Sequence, residues 1–324
     1  MQRDRKKIQQ HTMKKAIVTT TINSPTTATK RFAEIADRDG WQLIVAGDTK
    51  TPHNEYHDLE KRHKNVFYFT PEAQEALHKE LSDTIGWKSI RRRNMGFLYA
   101  YRQGAEIVAT VDDDNIPYDT WGTNVVVGQT VTFDCYEPEC GVFDALSVTN
   151  INNVWHRGFP IEYVPNRHRV TYVGKRQRKV LVQADLWDGD PDIDAIARLS
   201  QKPLVKFEGI TGPYGSTAIG PFNSQNTFLA REVLPYYSVL PHIGRMDDIW
   251  GAYVLQHYFP DSVVFMPPSV YQERNVQDLV KNLEDEVIGY RHTLKLLQDL
   301  DRYEEHLPEA TRAYWKVYRS AFPA

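Results

Sequence analysis

The run EIVATVDDDNIP, residues 106–117, is the most informative stretch of this chain. Its first six residues are rich in β-branched and small apolar side chains, the composition of a buried strand. Three carboxylates follow at once, Asp112, Asp113 and Asp114. In extended backbone residues i and i+2 face the same way, so Asp112 and Asp114 are expected to converge while Asp113 turns aside. Adjacent carboxylates at a strand end repel one another, at a cost that grows with burial. A divalent cation removes that cost. Hard oxygen ligands with no His or Cys beside them point to Mg²⁺ or Mn²⁺ at Asp112 and Asp114, and both ions favour phosphate oxygens as further ligands. The plain alternative is a solvated acidic turn before Pro117; the strand directly ahead of it favours the ligand.

Outward from this point, the N-terminal half alternates strands with helices. AIVTTTI (16–22), LIVAGD (43–48) and NVFYFT (65–70) read as strands, and 26–38, 71–82 and 89–103 read as helical segments. Strands spaced in this way predict a mostly parallel, partly mixed α/β sheet flanked by helices, with the ligand crevice at the carboxyl ends of the strands. Further strands are expected at 143–148, within 169–182 and at 263–266, loops at 189–221, a short turn or helix at 232–238, and a helix at 248–258. From residue 276 the pattern is almost wholly helical, with Leu279, Leu283, Val287, Leu294 and Leu297 expected to pack on the main domain or on another subunit. The division expected is an N-terminal extension at 1–13, a main domain at 14–275 and a helical extension at 276–324.

Cationic and polar groups cluster around the expected crevice. Lys88, Arg91, Arg92 and Arg93 precede the acidic strand, and one or two of them are expected to reach a diphosphate. Thr20 and Asn23 end the first strand with groups suited to a base or ribose, and Asp48 ends the second; capping is the plain alternative for Asn23 and Asp48. Arg157 stands in RGFP (157–160) between aromatic residues. Five aspartates crowd residues 185–194. The loop lacks the glycine and glutamate register of an EF-hand, so Asp190, Asp192 and Asp194 are read as acceptors for sugar hydroxyls, with Trp187 stacking on a sugar or packing in the core. Asn223 lies in a second polar loop. Asp247 and Asp248 precede a helix: one can cap it, which leaves the other to bind or to act as a base. His156 and His242 adjoin these loops, but the eleven histidines form no metal-binding pattern.

Composition narrows the field. The 324 residues are 41% hydrophobic and 25% charged, which excludes general disorder. Lysine and arginine total 39 against 42 aspartates and glutamates, a net charge of −3 that argues against non-specific nucleic-acid binding. Two cysteines, Cys135 and Cys140, do not make a disulfide scaffold or a zinc site. No apolar run is long enough for a membrane span, and a cytoplasmic protein is expected.

In their order along the chain, VDDDNIP (111–117), RGFP (157–160), LWDGDPDIDA (186–195) and GRMDDIW (244–250) resemble pieces of the GT-A nucleotide-sugar glycosyltransferases, especially the reversibly glycosylated polypeptide (UDP-arabinopyranose mutase) family. KSIRRRNMGFLYAYRQGAE (88–106), PFNSQNTF (221–228) and VVFMPPSV (263–270) are closer to the STELLO-like glycosyltransferases. The resemblance covers about 14–275. It implies a GT-A-like fold, a UDP-sugar donor bound with Mn²⁺ or Mg²⁺, and an acidic motif at Asp112, Asp113 and Asp114. Arg157 maps to an arginine tied to sugar turnover in the mutase-like family. That family has a second arginine seven residues on, where this chain has Val164; Arg167 and Arg169 match only after a shift. Transfer to a separate acceptor is therefore preferred, with the mutase reaction and a non-catalytic nucleotide-sugar-binding partner as alternatives. The acceptor, small molecule, glycan or protein, is left open, as is a homo-oligomer.

Overall fold

Seven residues, Lys15–Thr21 (β1), form a central strand, buried from Ala16 onward because apolar and small side chains alternate on both of its faces. Around it the computed structural model, which describes residues 14–274 and 276–323, builds one eleven-stranded sheet; the extension expected at 1–13 lies outside the described residues. The other strands are Gln42–Gly47 (β2), Val66–Phe69 (β3), Ile107–Val111 (β4), Asn115–Pro117 (β5), Thr130–Pro138 (β6), Val170–Lys179 (β7), Val182–Gly189 (β8), Tyr214–Gly215 (β9), Asn226–Ala230 (β10) and Val263–Gln272 (β11). Their order is β3-β2-β1-β4-β10-β8-β11-β9-β6-β7, with β5 paired to β11.

β1 runs parallel to β2 and β4, and β2 parallel to β3. β10 is antiparallel to both β4 and β8, while β11 is parallel to β8. The carboxyl ends of β1, β2, β4, β8 and β11 therefore share one edge with the amino end of β10. This gathers residues far apart in sequence: those following Thr21, Gly47, Val111, Gly189 and Gln272, and those preceding Asn226. The result is the mixed sheet with flanking helices and a C-terminal helical extension expected of a GT-A-like architecture, with parallel pairing concentrated in its N-terminal half.

The helices are Thr27–Asp39 (α1), His53–Arg62 (α2), Pro71–Leu77 (α3), Lys79–Ile85 (α4), Arg93–Arg102 (α5), Ala195–Gln201 (α6), Asp247–Tyr258 (α7), Leu279–Gln298 (α8), Tyr303–His306 (α9) and Glu309–Ala321 (α10). α1 starts where Thr26 Oγ1 accepts the Thr29 N–H at 3.1 Å and stops at Gly40, whose φ of 71° few other residues tolerate. α5 lies so close to β1 that a Cβ on Gly96 would sit 2.5 Å from the Val18 side chain.

Four expectations need correction. The stretch at 189–221, expected as loops, carries the helix α6, which Asp194 caps by accepting the Ile196 and Ala197 N–H groups. The helix expected at 71–82 is two, because His78 leaves the helix and caps α4 with Nδ1, which accepts the Leu81 N–H at 3.2 Å. The strand expected at 143–148 is a turn of 3₁₀ helix at Ala145–Val148: Asp144 caps it and also holds the buried Arg167 at 3.0 Å. The segment at 89–103 opens with a 3₁₀ turn, Ile90–Arg92, before α5.

The C-terminal helices pack on their own chain. Tyr303, Leu307, Tyr314, Trp315 and Tyr318 join the core, and Tyr318 Oη donates to the Leu234 and Tyr237 carbonyls. On α8 the expected leucines are only half-buried; the buried face is Glu286, Gly289, Thr293 and Leu296. Among the described residues no helix is long and apolar enough to cross a membrane.

Candidate functional site

At the shared sheet edge lies a cavity of about 560 Å³. Asp112, Asp113 and Asp114 all line it, but not as alternation would have it: β4 ends at Val111, and a turn follows in which the Asn115 N–H donates to the Asp112 carbonyl at 3.3 Å. Asp112 accepts from Arg93, whose guanidinium is also anchored on the Ser224 carbonyl at 2.9 Å. Burial pushes the Asp112 carboxyl above the usual carboxylate range; Arg93 opposes the shift, and the charges of Asp192 and Asp113 add to it. Asp113 turns toward β1 while still lining the cavity with Asp112 and Asp114. Its carboxylate accepts from Thr21 Oγ1 and from Asn23 Nδ2, the latter at 2.9 Å. Asp114 faces the cavity near enough to Arg274 for its charge to favour the guanidinium cation.

A smaller cavity of about 250 Å³ adjoins the first and shares Thr20, Ile90 and Asp113 with it. Asn23, Asp48 and Lys88 complete its wall. Asp48 is a correction. Its oxygens accept the backbone N–H groups of Lys88 at 2.9 Å and Ser89 at 3.0 Å, so the carboxylate on the cavity wall is first of all the tie that fixes the loop forming that wall. Burial disfavours its charge, yet the Ser89, Lys88 and Thr49 donors hold it below the usual range. Arg92 is a second correction: it is fully buried, stacks 3.8 Å from the Trp87 ring and donates to Gln74 at 2.8 Å, away from both cavities. Lys88 lines the smaller cavity, so the cations facing the larger one from this segment are Arg91 and Arg93.

Across the cavity three arginines meet one carboxylate. Asp192 is bound by Arg157 at 2.7 Å, Arg245 at 2.9 Å and Arg274 at 3.3 Å. Burial opposes its ionisation, but these cations outweigh it and hold the group well below the usual range. Arg157 also pairs with Asp248 at 3.0 Å and lies 3.8 Å from Asp247. Asn223 Nδ2 stands behind Asp192 at 3.4 Å, outside the cavity wall, where Ser224 and Gln225 take its place. Asp190 likewise stands behind, paired with Arg198 and 3.7 Å from Arg274. Asp194 is a third correction: it is fully buried and caps α6, accepting the Ile196 N–H at 2.9 Å. Burial, with the charge of Glu286, pushes its carboxyl up to about 7. Trp187 is core, edge-on to the fully buried His156. His242 lines the cavity; His156 does not.

Asp247 and Asp248 begin α7 and face opposite electrostatic fates. Asp248 accepts the Ser224 N–H at 2.8 Å, and Arg157 overrides the cost of burial to hold it ionised below the usual range. Asp247, 3.0 Å from Arg91, is pushed up to about 6 by burial, against the pull of Arg91 and with the repulsion of Asp248. Sequence reading passed over Arg274 and Glu286. Arg274 follows β11, and only the topology brings it across. Glu286 sits fully buried on α8, where its carboxylate accepts Arg245 Nε and the Ala195 N–H, both at 2.9 Å. The same helix presses so near the loop before α7 that a Cβ on Gly244, at φ 57°, would sit 2.1 Å from the Asp285 carbonyl.

For a metal the fit is partial. Oxygen donors dominate the wall, yet no group of three or more His, Cys, Asp or Glu among the described residues is arranged to hold an ion by itself. An ion at Asp112 and Asp114 would complete its shell with ligand phosphates, as Mg²⁺ sites on one or two carboxylates do.

No family model matches the chain. Two curated proteins of Arabidopsis thaliana do, the probable glycosyltransferases STELLO2 and STELLO1, each 23% identical, over 233 and 231 residues. The chain is similar to STELLO-type glycosyltransferases. The matches take in 66% of this chain but 29% of each relative, so the chain spans less than a third of the length of the curated relatives it matches. Among solved structures, glucosyl-3-phosphoglycerate synthase from Mycobacterium tuberculosis aligns in a complex with phosphoglyceric acid, at 10% identity and TM-score 0.44 over 87% of this chain and 80% of that one. A complex of the same enzyme with Mn²⁺, UDP and phosphoglyceric acid aligns at 11% identity and TM-score 0.45, over 87% and 77%.

Proposed function

We propose that this chain is a glycosyltransferase that moves a sugar from a nucleotide-diphosphate sugar, UDP-linked, to an acceptor hydroxyl. The carrying observation is the split pair at the start of α7, where one carboxyl is held ionised by Arg157 and its neighbour is raised to about 6 on the wall of an acid- and arginine-lined cavity. Adjacent carboxyls whose environments push them apart mark a division of labour, and Asp247 is the base. The similarity to STELLO-type proteins supports the same reaction class.

In this reading the smaller cavity takes the nucleoside, with Asp113, Asn23 and Thr20 toward the ribose or base, and the diphosphate crosses into the larger one. Arg91, Arg245 and Arg274 offer cationic partners there. Asp112 and Asp114 would hold Mg²⁺ or Mn²⁺, which when bound neutralises charge on the departing nucleoside diphosphate. Asp247 takes the proton of the acceptor hydroxyl as its oxygen bonds to the anomeric carbon and the bond to the diphosphate oxygen breaks. Asp248 and Asp192 hold Arg157 in place. Residues 14–275 are proposed to carry the donor site, with 276–324 as an addition that reaches it through Glu286.

The mutase alternative asks Arg157 to engage the sugar covalently. Burial disfavours the arginine cation, but Asp192, Asp248 and Asp247 hold it charged well above its usual range, and its guanidinium is engaged by Asp192 at 2.7 Å and Asp248 at 3.0 Å, which favours a structural and electrostatic duty for it. Neither candidate for the second arginine reaches the cavity: Arg167 pairs with Asp144, and Arg169 with Glu139 on the surface. The test is incubation of the purified chain with Mn²⁺, a panel of UDP- and GDP-sugars and candidate acceptors, with chromatography of the nucleotide products. Acceptor-dependent UDP release with a matching glycosylated product is expected. A ring isomer of the donor accumulating without acceptor would establish the mutase instead.

A further inference from the structure

Apart from the adjoining pair of cavities just described, a second cavity region, of about 620 Å³, shares no residue with either. It opens where β11 breaks register with β8 between Met266 and Val270, a bulge occupied by Pro267, Pro268 and Ser269. Bulges of this kind re-aim side chains and often stand beside binding sites. At the floor is Asp185, a buried carboxylate on β8 with no part in the catalytic proposal.

Its surroundings are built rather than incidental. Gln183 Nε2 donates to Asp185 at 2.8 Å, and Gln183 Oε1 accepts the Val126 N–H at 2.8 Å, so one carboxamide ties the floor to the wall. Ser269, on the same cavity wall, is fixed by Asn226 Nδ2, which donates to its hydroxyl at 2.9 Å. Burial pushes the Asp185 carboxyl up to about 7, against the pull of Ser269 and Gln183. A carboxyl in that range is neutral in a large fraction of molecules near neutral pH and then offers both a donor and an acceptor.

The chemistry of the walls selects the ligand. No lysine, arginine or histidine among the described residues lines this cavity, so a phosphate or carboxylate would find no counter-charge. A wholly apolar ligand would bury Asp185 and Gln183 without further partners, which is costly. Met266, Pro267 and Pro268 supply C–H surface, while hydroxyls and amides such as Thr211 and Asn124 stand at the exposed mouth. A ligand with C–H faces and hydroxyl edges satisfies both requirements. We propose that this second cavity binds a neutral carbohydrate, with Asp185, Gln183 and Ser269 reading its hydroxyls.

The same chemistry is presented by a free sugar and by a residue within a glycan chain. Saturation-transfer NMR and calorimetry of the full chain, with glucose, galactose, mannose, arabinose and their available trisaccharides, test the proposal, with inorganic phosphate as the charged control. Saturable binding of at least one neutral saccharide is expected in the presence of saturating UDP, and phosphate, which the arginines of the larger cavity can take, is expected not to compete with it. A trisaccharide at least tenfold tighter than its monomer identifies a glycan-chain site, and equal affinities identify a site for a single sugar. Thr211→Trp, at the exposed mouth, is expected to weaken binding at least tenfold with an unchanged melting temperature, and Asp185→Leu to abolish it. If Asp185→Leu fails to fold, Thr211→Trp still decides. The proposal is overturned if no neutral saccharide saturates, if phosphate displaces the saccharide, or if Thr211→Trp binds like the parent chain.

Discussion

Two neighbouring aspartates, alike in sequence, carry opposite duties because their partners differ. Asp248 meets the Ser224 N–H and the Arg157 guanidinium, while Asp247 meets Arg91 at the cavity wall. Asp247→Asn should therefore cost catalysis and little stability. General-base removal is worth roughly 10²–10⁴-fold in rate, so kcat should fall by about that range with the melting temperature held. Asp248→Asn strips a buried pair from Arg157, a loss of about 3–5 kcal/mol, and calorimetric melting should register it. A base must be deprotonated to act, and burial pushes the Asp247 carboxyl of the free chain up to about 6, so kcat/KM of the parent chain should rise with pH through that value and level off above it. A pH–rate profile flat from 5 to 8 would remove Asp247 from the role. Asp112→Asn and Asp114→Asn should each weaken Mn²⁺-dependent UDP binding in calorimetric titrations of folded protein. Unchanged affinity in both would end the metal assignment.

What could be read from the sequence depended on how local the cause was. β1, β2, β3 and β4 announce themselves by short β-rich runs, and with them the crevice edge and the acidic turn. β6 and β10 were not legible, because their mixed polar composition is explained only by neighbours distant in the chain: Asn226 pairs with Val111, and Trp121 Nε1 donates to its side chain at 3.0 Å. The same limit hid Arg92. Among the four basic residues at 88–93, one or two are expected to reach a diphosphate, and the sequence does not say that the fold turns Arg92 onto Trp87 instead. α8 is the sharpest case. The leucines expected to form its buried face are half-exposed and Glu286 is buried instead, because the helix packs on the loop before α7 and pairs with Arg245 there. Glu286→Ala frees Arg245 and leaves the Ala195 N–H without its acceptor, a loss of about 1–3 kcal/mol. Since Arg245 faces the cavity, KM for the donor should rise about tenfold with a smaller change in kcat. A chain ending at Arg274 should do worse, because Tyr314, Trp315 and Tyr318 leave the core with it; light scattering should show aggregation. Equal kinetics in Glu286→Ala would make the helix a mere cover.

At the scale of the whole molecule the site is carried at a cost in folding free energy, and Asp194 shows where. Asp185, Asp194 and Asp247 are raised to about 7, 7 and 6 against an ordinary value of 3.8. For such a group the native state keeps a proton that the unfolded chain has released. The contribution of these three groups to stability therefore falls as pH rises from about 4 to about 7 and is level on either side of that window. Asp194 is the cleanest of the three to test, being neither the proposed base nor a wall of the second cavity. Its Oδ1 caps α6, while Oδ2 has no hydrogen-bond partner among the described residues, and Glu286 repels the charge. Asparagine caps a helix as well as aspartate does, so Asp194→Asn keeps the Oδ1 bonds and replaces the uncompensated oxygen with a donor beside the Glu286 carboxylate. The variant should melt higher than the parent at pH 8, by roughly 2–4 °C for each kcal/mol relieved. The gain should shrink as pH is lowered and vanish near pH 4, where the parent carboxyl is protonated whether folded or not. A variant that melts lower at pH 8, or whose gain is the same at pH 4 and pH 8, would show that the Asp194 charge is already compensated in the native state. A gain confined to the alkaline side would identify the Asp194–Glu286 contact as a standing electrostatic strain where α8 meets the loop that carries Asp192.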